Sequence, residues 1–273
     1  MGIQDSLKSL VDDCPVFIHT DLFNVHELIT PIDFDRKKIC EQHLKLIKSL
    51  FRQNNIWIPT FNYDFSCSKI FDVTKTPSQV GYFTEYIRKF CAEWRTTVPF
   101  FSVCGCGEQP KFNVSDYLTP FAENSIFNTL FKGKGKILFY GAKINSMTFL
   151  HFIESLIGPP LYRYDKLFVG NVTSQYGTQN VKVKFHVRPW KHYLDYDWAT
   201  IFVDLKGAGL VKLVSSLGAC QSVFYIDVVE LVDFWYKKVK KDPFYYLDAK
   251  SKEWIVPMYK KLGRRFLIDD FEK

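Results

Sequence analysis

Two short stretches of the chain hold side chains that do acid–base chemistry at a useful spacing. In Asn145-Ser146-Met147-Thr148-Phe149-Leu150-His151-Phe152-Ile153-Glu154, a histidine and a glutamate stand three residues apart. On a helix that spacing puts both on one face. A carboxylate beside an imidazole orients it and raises its basicity. The same spacing also serves a plain surface ion pair. In helix bundles a His-x-x-Glu pair ligates metals, but that design needs a second copy, and the sequence has none. The stretch follows the apolar run Lys136 to Tyr140 and Gly141. Ligands of open α/β sheets sit at such carboxyl ends of strands. The start of a helix there favours an anion or a developing oxyanion.

The second stretch is Gly81-Tyr82-Phe83-Thr84-Glu85, which follows a polar loop rich in Tyr, Asp, Ser and Pro. Glu85 there either serves a site or complements the helix dipole. Among the other histidines, His19 ends an apolar run beside Thr20 and could reach a site at the sheet edge. His26, His43, His186 and His192 have no obvious acid or nucleophile partner in sequence. The Gly-x-Ser-x-Gly elbow, the Walker loop and Gly-x-Gly-x-x-Gly are all missing. Cys104-Gly105-Cys106 is too tight and isolated for zinc, so no metal is expected. The seven cysteines, Cys220 included, are odd in number and irregularly spaced. They read as reduced, buried thiols.

The bulk composition narrows the partners. The formal net charge is +7, with a pI near 8.9. The basic residues are scattered, apart from 237–241 and 260–265, and no nucleic-acid motif accompanies them, so nucleic acid is not expected. A moderate positive field suits small phosphorylated ligands. The 26 Phe and 15 Tyr reflect either a biased base composition or an aromatic-lined cleft. No window suits a membrane span. The N-terminal stretch lacks a signal-peptide pattern. A cytoplasmic location is therefore expected.

The elements that must position these residues can be read from periodicity and punctuation. Residues 3–13 read as a short helix, 15–19 as a strand, 35–52 as an amphipathic helix and 56–59 as a second strand. That order suggests a parallel crossover unit. A helix is expected over about 79–91, a turn of helix over 116–121, and another short helix from Asn124. A third strand follows over 136–140, then a helix from Ser146 or Thr148 to Ile157. Residues 161–169 and 179–188 alternate apolar with polar, which predicts an antiparallel hairpin with Gly170 and Gly177 in its turns. The remainder reads as a helix over 199–218, a strand over 222–225, a helix over 226–241 and a mixed tail. The fold class is α/β: a central mixed, largely parallel sheet flanked by helices, with an added antiparallel hairpin or small sheet. With no repeat and no linker, residues 1–273 read as one composite domain, with a core over 14–158, a β-rich insertion over 159–198 and a completion over 199–273.

Five short motifs in order resemble the aminoglycoside 3-N-acetyltransferase family. They are Val16-Phe-Ile-His-Thr-Asp-Leu22, Ile56-Trp-Ile-Pro-Thr-Phe-Asn62, Thr76-Pro-Ser-x-x-Gly-x-x-Thr-Glu85, Arg95-Thr-Thr-Val-Pro-Phe-Phe-Ser-Val103 and the segment Lys136 to Glu154. The resemblance covers roughly residues 14–158. It implies an α/β fold and acyl transfer from acyl-CoA to a primary amine, without metal. His151 would be the general base, with Glu85, and in second place Glu154, orienting it or the amine. Thr20, Ser102 and Thr148 would be the hydroxyls available to the oxyanion. Asn145 stands where many members have Asp, which puts a His–Asp pair there in doubt. The segment Pro189 to Trp198 does not look like the antibiotic-modifying members. Tyr63, Trp190, Asp195 and Asp197 are the expected acceptor-pocket residues, though the two acids could equally be solvated turn residues.

Aminoglycosides are polycations and favour acidic clefts, whereas this chain is basic. CoA and a nucleotide-linked amino sugar (dTDP- or UDP-linked, for example) are both anionic, so the charge favours such a sugar as acceptor, in surface polysaccharide synthesis. Aminoglycoside acetylation is the alternative, and a non-catalytic binding protein on the same fold is a third reading. The expected partners are acyl-CoA and a small-molecule amine, and an oligomer is left open.

Overall fold

The computed structural model describes residues 14–30, 35–50, 55–110, 117–214 and 222–272. The expected helix over 3–13, Cys220 and Gly218 lie outside them. In chain order the elements are β1 (Val16–Thr20), α1 (Arg36–Ser49), β2 (Ile56–Pro59), α2 (Phe65–Ser68), β3 (Ile70–Asp72), α3 (Tyr82–Phe90), β4 (Trp94–Arg95), β5 (Val103–Cys106) and β6 (Tyr117–Leu118). They continue with α4 (Ile126–Lys132), β7 (Lys136–Tyr140), α5 (Phe149–Ile157), β8 (Tyr164–Ser174) and β9 (Gly177–Val187). The last are α6 (Trp198–Gly207), β10 (Lys212–Leu213), β11 (Val223–Asp227), α7 (Val228–Lys241) and α8 (Ala249–Leu262).

The main sheet runs β10-β11-β7-β1-β2-β5-β4. Its centre, β7-β1-β2, is parallel, as the strand–helix–strand order requires. Its flanks, β11, β10, β5 and β4, are antiparallel. The near-continuous apolar runs of β1 and β7 follow from burial on both faces. Phe17, Trp57, Ile137 and Phe139 enter one core, against α5 and α7. Val16, Ile18, Ile58, Leu138 and Tyr140 enter the other, against α1 and α3.

Beside it lies a four-stranded sheet, β3-β8-β9-β6, built on the hairpin of β8 and β9. A third apolar cluster, with Phe65, Phe71, Phe100, Val172 and Val183, lies beneath it. Gly177 stands at the hairpin tip with φ 102°, but Gly170 is not in a turn. It faces Val181 inside the ladder, and a Cβ there would stand 2.4 Å from the Lys69 carbonyl oxygen. Glycine at 170 thus answers a close backbone approach, which alternation alone does not reveal.

Three other expectations need correction. Tyr117–Leu118 is strand β6, paired in parallel with β9, rather than a turn of helix. The helix expected over 199–218 ends at Gly207, and Lys212–Leu213 already pairs with β11. The mixed tail holds the helix α8, which carries Pro257 inside it.

The turn out of β7 carries the chain toward the functional residues. Gly141 takes φ 75°, and a Cβ there would meet the Asp21 carbonyl oxygen at 2.1 Å. Asp21 in turn caps the 3-10 turn Leu22–Leu28 by accepting from the Phe23 N–H. Only glycine lets β7 bend this tightly.

Candidate active site

Helix α5 begins just past that turn and buries Phe149, Leu150, Phe152, Ile153 and Glu154. Glu154 is therefore no surface acid: it is 3% exposed, at the end of a helix face that is otherwise apolar. Its carboxylate accepts four hydrogen bonds. Oε1 accepts from the hydroxyls of Tyr162 and Tyr196, each at 2.7 Å. Oε2 accepts from His151 Nδ1 at 2.8 Å and His186 Nε2 at 3.1 Å. The Arg163 guanidinium stands 3.9 Å from Oε2 and donates twice to the Tyr196 oxygen, at 3.1 and 2.7 Å. Such saturation is what a buried carboxylate requires.

The electrostatics follow from this arrangement. Burial alone would raise the Glu154 carboxyl, but Arg163 and the two imidazoles hold it well below the usual range. Burial lowers His151 to about 4, against the opposing pull of Glu154. Burial lowers His186 as well. Both imidazoles are thus neutral near pH 7, beside an ionised carboxylate. A neutral imidazole that donates from Nδ1 keeps its lone pair on Nε2. His151, whose side chain is 24% exposed, therefore keeps a basic nitrogen free of Glu154.

His151 lines a polar cleft of about 290 Å³ together with Asn145, Ser146, Thr148, Arg188, Asp195, Tyr196 and Trp198. The cleft lies where α5 meets the base of the hairpin. The ligand-capable atoms of His151, Glu154 and His186 lie within 4.8 Å of one another. Here both imidazole nitrogens nearest the carboxylate act as donors to it, so the three form a hydrogen-bonded triad. A second cleft, about 920 Å³, opens near the hairpin tip between Arg88, Trp94, Arg95 and Tyr176. It is larger, but its lining holds no histidine or cysteine. The histidine–carboxylate pair lies at the smaller cleft.

The residues singled out from sequence divide accordingly. His151, Asn145, Thr148 and Asp195 line one cleft, with Glu154 beneath it. Thr148 leads into α5, and its hydroxyl makes only a long bond, 3.4 Å, to the Ser146 carbonyl. Glu85 is not joined to His151. Its oxygens accept from Arg88 at 2.7 and 2.8 Å, and from the Ser78 N–H at 2.7 Å. Lys89 lies 3.2 Å away. Burial would raise Glu85, but these donors bring it down to about 2. The carboxylate that holds His151 is Glu154.

Ser102 is fully buried, donates to the Thr60 carbonyl at 2.7 Å and accepts from Arg95, so its hydroxyl is not offered to the cleft. Asp197 accepts from the Thr200 N–H as the cap of α6. Trp190 and Tyr63 are exposed residues outside the cleft lining. Thr20 ends β1 beside the Gly141 turn and does not line the cleft.

Sequence reasoning missed Arg163, Tyr162, Tyr196, Arg188 and His186. For His186 a signal existed. In Lys182-Val183-Lys184-Phe185-His186 the histidine takes the place in the alternation that the exposed lysines hold. An uncharged ring at a solvent-phase position marks where the strand is covered.

Comparisons with known proteins bear on the family and the fold. The family model for aminoglycoside 3-N-acetyltransferase matches residues 48–240. The match spans the segment Pro189–Trp198. No curated protein matches. Among solved structures, the binary complex of AAC-IIIb with CoASH superposes with a TM-score of 0.67 at 17% identity, covering 88% of this chain and 95% of that one. A variant of AAC(3)-IVa in complex with a gentamicin gives 0.60 at 16%, covering 90% of each. The YokD protein from Bacillus subtilis gives 0.62 at 14%, covering 88% and 93%. At these identities the superpositions speak for the fold, and the family model speaks for descent: the chain belongs to the aminoglycoside 3-N-acetyltransferase family.

Proposed function

We propose that the protein is an acyl-CoA-dependent N-acyltransferase that acts on the amine of an amino sugar, with His151 as general base. The observation that carries the reading is the pairing of His151 Nδ1 with the buried Glu154, which leaves Nε2 as the lone-pair nitrogen of a residue lining the cleft. The chemistry balances without a covalent enzyme intermediate. The acceptor nitrogen attacks the thioester carbonyl carbon while Nε2 accepts its proton. The C–S bond breaks, and the thiol leaves with a proton returned from the imidazolium. Glu154 stabilises that imidazolium through Nδ1. The Thr148 hydroxyl, at the start of α5, is the donor best suited to the carbonyl oxygen as it gains charge.

The family and the gentamicin complex of one relative favour an aminoglycoside acceptor. One specific observation favours a second reading, a nucleotide-linked amino sugar of surface polysaccharide synthesis. The cleft holds a cation, Arg188, and a neutral Asn145, with Asp195 as its one carboxylate, in a chain of net charge +7. That lining suits a polycation poorly. A cytoplasmic location is supported by the six described cysteines, all free thiols. Among the described residues no helix is long and apolar enough to cross a membrane.

The test is thiol release by the purified chain offered acetyl-CoA and longer acyl-CoAs, with aminoglycosides in one panel and nucleotide-linked amino sugars in the other. Release that needs an amine from either panel supports acyl transfer. Absence of release with both panels would leave the reading without support.

A further inference from the structure

The cleft at His151 carries one cation without an answering anion. Arg188 follows directly from β9, and the turn after it is fixed by Pro189, whose carbonyl accepts from the His192 N–H at 3.2 Å, and by Lys191, at φ 60°. Among the described residues Arg188 forms no ion pair and no hydrogen bond. Nearby carboxylates are already engaged. Asp165, across from His186 in the hairpin, accepts from Arg265 at 2.9 Å and lies 3.6 Å from Lys184. Glu272 pairs with Lys166 and Asp248 accepts from Tyr193. Within the cleft itself, Asp195 uses Oδ1 to accept from the Tyr196 N–H at 2.8 Å and makes no ion pair among the described residues.

One pocket of about 290 Å³ is thus lined by an exposed arginine, a carboxylate with a free oxygen, and a base. A guanidinium fork matches the oxygens of a phosphate ester in a bidentate way. A carboxylate suits the hydroxyl or ammonium groups of a sugar ring. A polycation would meet one favourable and one repelling charge.

We propose that Arg188 is a specificity-determining residue of the acceptor subsite: it holds a phosphate or diphosphate ester on the acceptor while the amine reaches His151. The assignment rests on the acyl-transfer reading and narrows it to an anionic acceptor. Acyl-CoA also carries phosphates, so the test must separate the two substrates.

The experiment compares kcat/KM for a UDP- or dTDP-linked amino sugar with that for the same amino sugar lacking the nucleotide, in the full chain and in Arg188→Ala and Arg188→Lys. The preference for the nucleotide-linked acceptor should be large in the unaltered chain. It should fall roughly 10- to 100-fold in Arg188→Ala, the usual loss for a hydrogen-bonded charge, with partial rescue in Arg188→Lys. The KM for acyl-CoA should not carry the change. A preference that survives Arg188→Ala, or a loss confined to the KM for acyl-CoA, overturns the assignment. Turnover of aminoglycosides alone sinks it while acyl transfer stands. A lack of turnover with any amine removes both.

Discussion

Two regions of this molecule hold an acid, an arginine and a fixed loop, and they differ in how completely those groups are engaged. Around Glu85 and Arg95 every strong group is answered from within. Arg95 donates to the carbonyls of Thr60, Val73 and Thr76 and to the hydroxyls of Thr60 and Ser102, and its guanidinium lies 4.9 Å from the Phe71 ring centre. Arg88 closes on Glu85 and on the Thr74 carbonyl. The result is a joint that ties the 60, 73–78 and 102 segments together. Around Glu154 the carboxylate is equally satisfied, but one of its donors, His151, is a ring with a second nitrogen and a wall of the cleft. On the proposed reading, the reactive site differs from the structural joint by one lone pair left over, not by the number of charges gathered.

That contrast can be broken by substitution. Among changes at the acids and arginines of the two regions, Glu154→Gln should be the most damaging. It leaves Arg163 buried without its carboxylate, a loss of about 3–5 kcal/mol for a broken buried pair, and it removes the partner of the imidazolium, so kcat should fall about 100-fold. Chemical denaturation and thiol release read the two losses separately. Arg95→Met should cost about 2–4 kcal/mol, because several buried carbonyls lose their donors together, while the shape of the pH–rate profile stays unchanged. Glu85→Gln should cost about 1–2 kcal/mol and leave kcat within about 2-fold. If Glu85→Gln instead abolishes turnover at normal stability, the two regions have been assigned the wrong way round.

A last effect, which no substitution is needed to see, is one of pH. His43 and His19 are buried, and burial lowers them to about 4 and about 3. His151 is lowered in the same way, to about 4. In the unfolded chain these rings take up protons near 6.5, so between 6.5 and about 4 the unfolded state binds more protons. Stability is then fully present above 6.5 and falls as pH drops, by up to about 1.4 kcal/mol per pH unit for each fully buried ring. Melting temperatures at pH 7 and pH 5 check this: the lower pH should give the lower value.

Much of this architecture was legible in the sequence, for identifiable reasons. β1, β2, β7 and α5 announce themselves because apolar runs ending at Thr-Asp, Pro-Thr or Gly, and a helix starting past a glycine, are local signals. His151 and Glu154 are legible for the same reason, since their relation is set by one turn of helix. The alternation of β9 marks His186, but the other partners of Glu154 are not legible, because Tyr162, Arg163 and Tyr196 arrive from the hairpin base and the segment beyond it. Their convergence is tertiary. Asp195 and Asp197 illustrate the limit at close range. Two residues apart and alike in type, one lines the cleft and the other caps α6, and only the helix start between them decides which.

The most direct measurement is single-turnover thiol release by His151→Ala at saturating acyl-CoA and amine, in a preparation whose melting temperature matches the unaltered chain to within a few degrees. Removal of the base should slow the step by roughly 100- to 10,000-fold. A rate within about 3-fold of the unaltered chain would contradict the account, because the proton would then leave the amine without the one nitrogen that the Glu154 network holds ready.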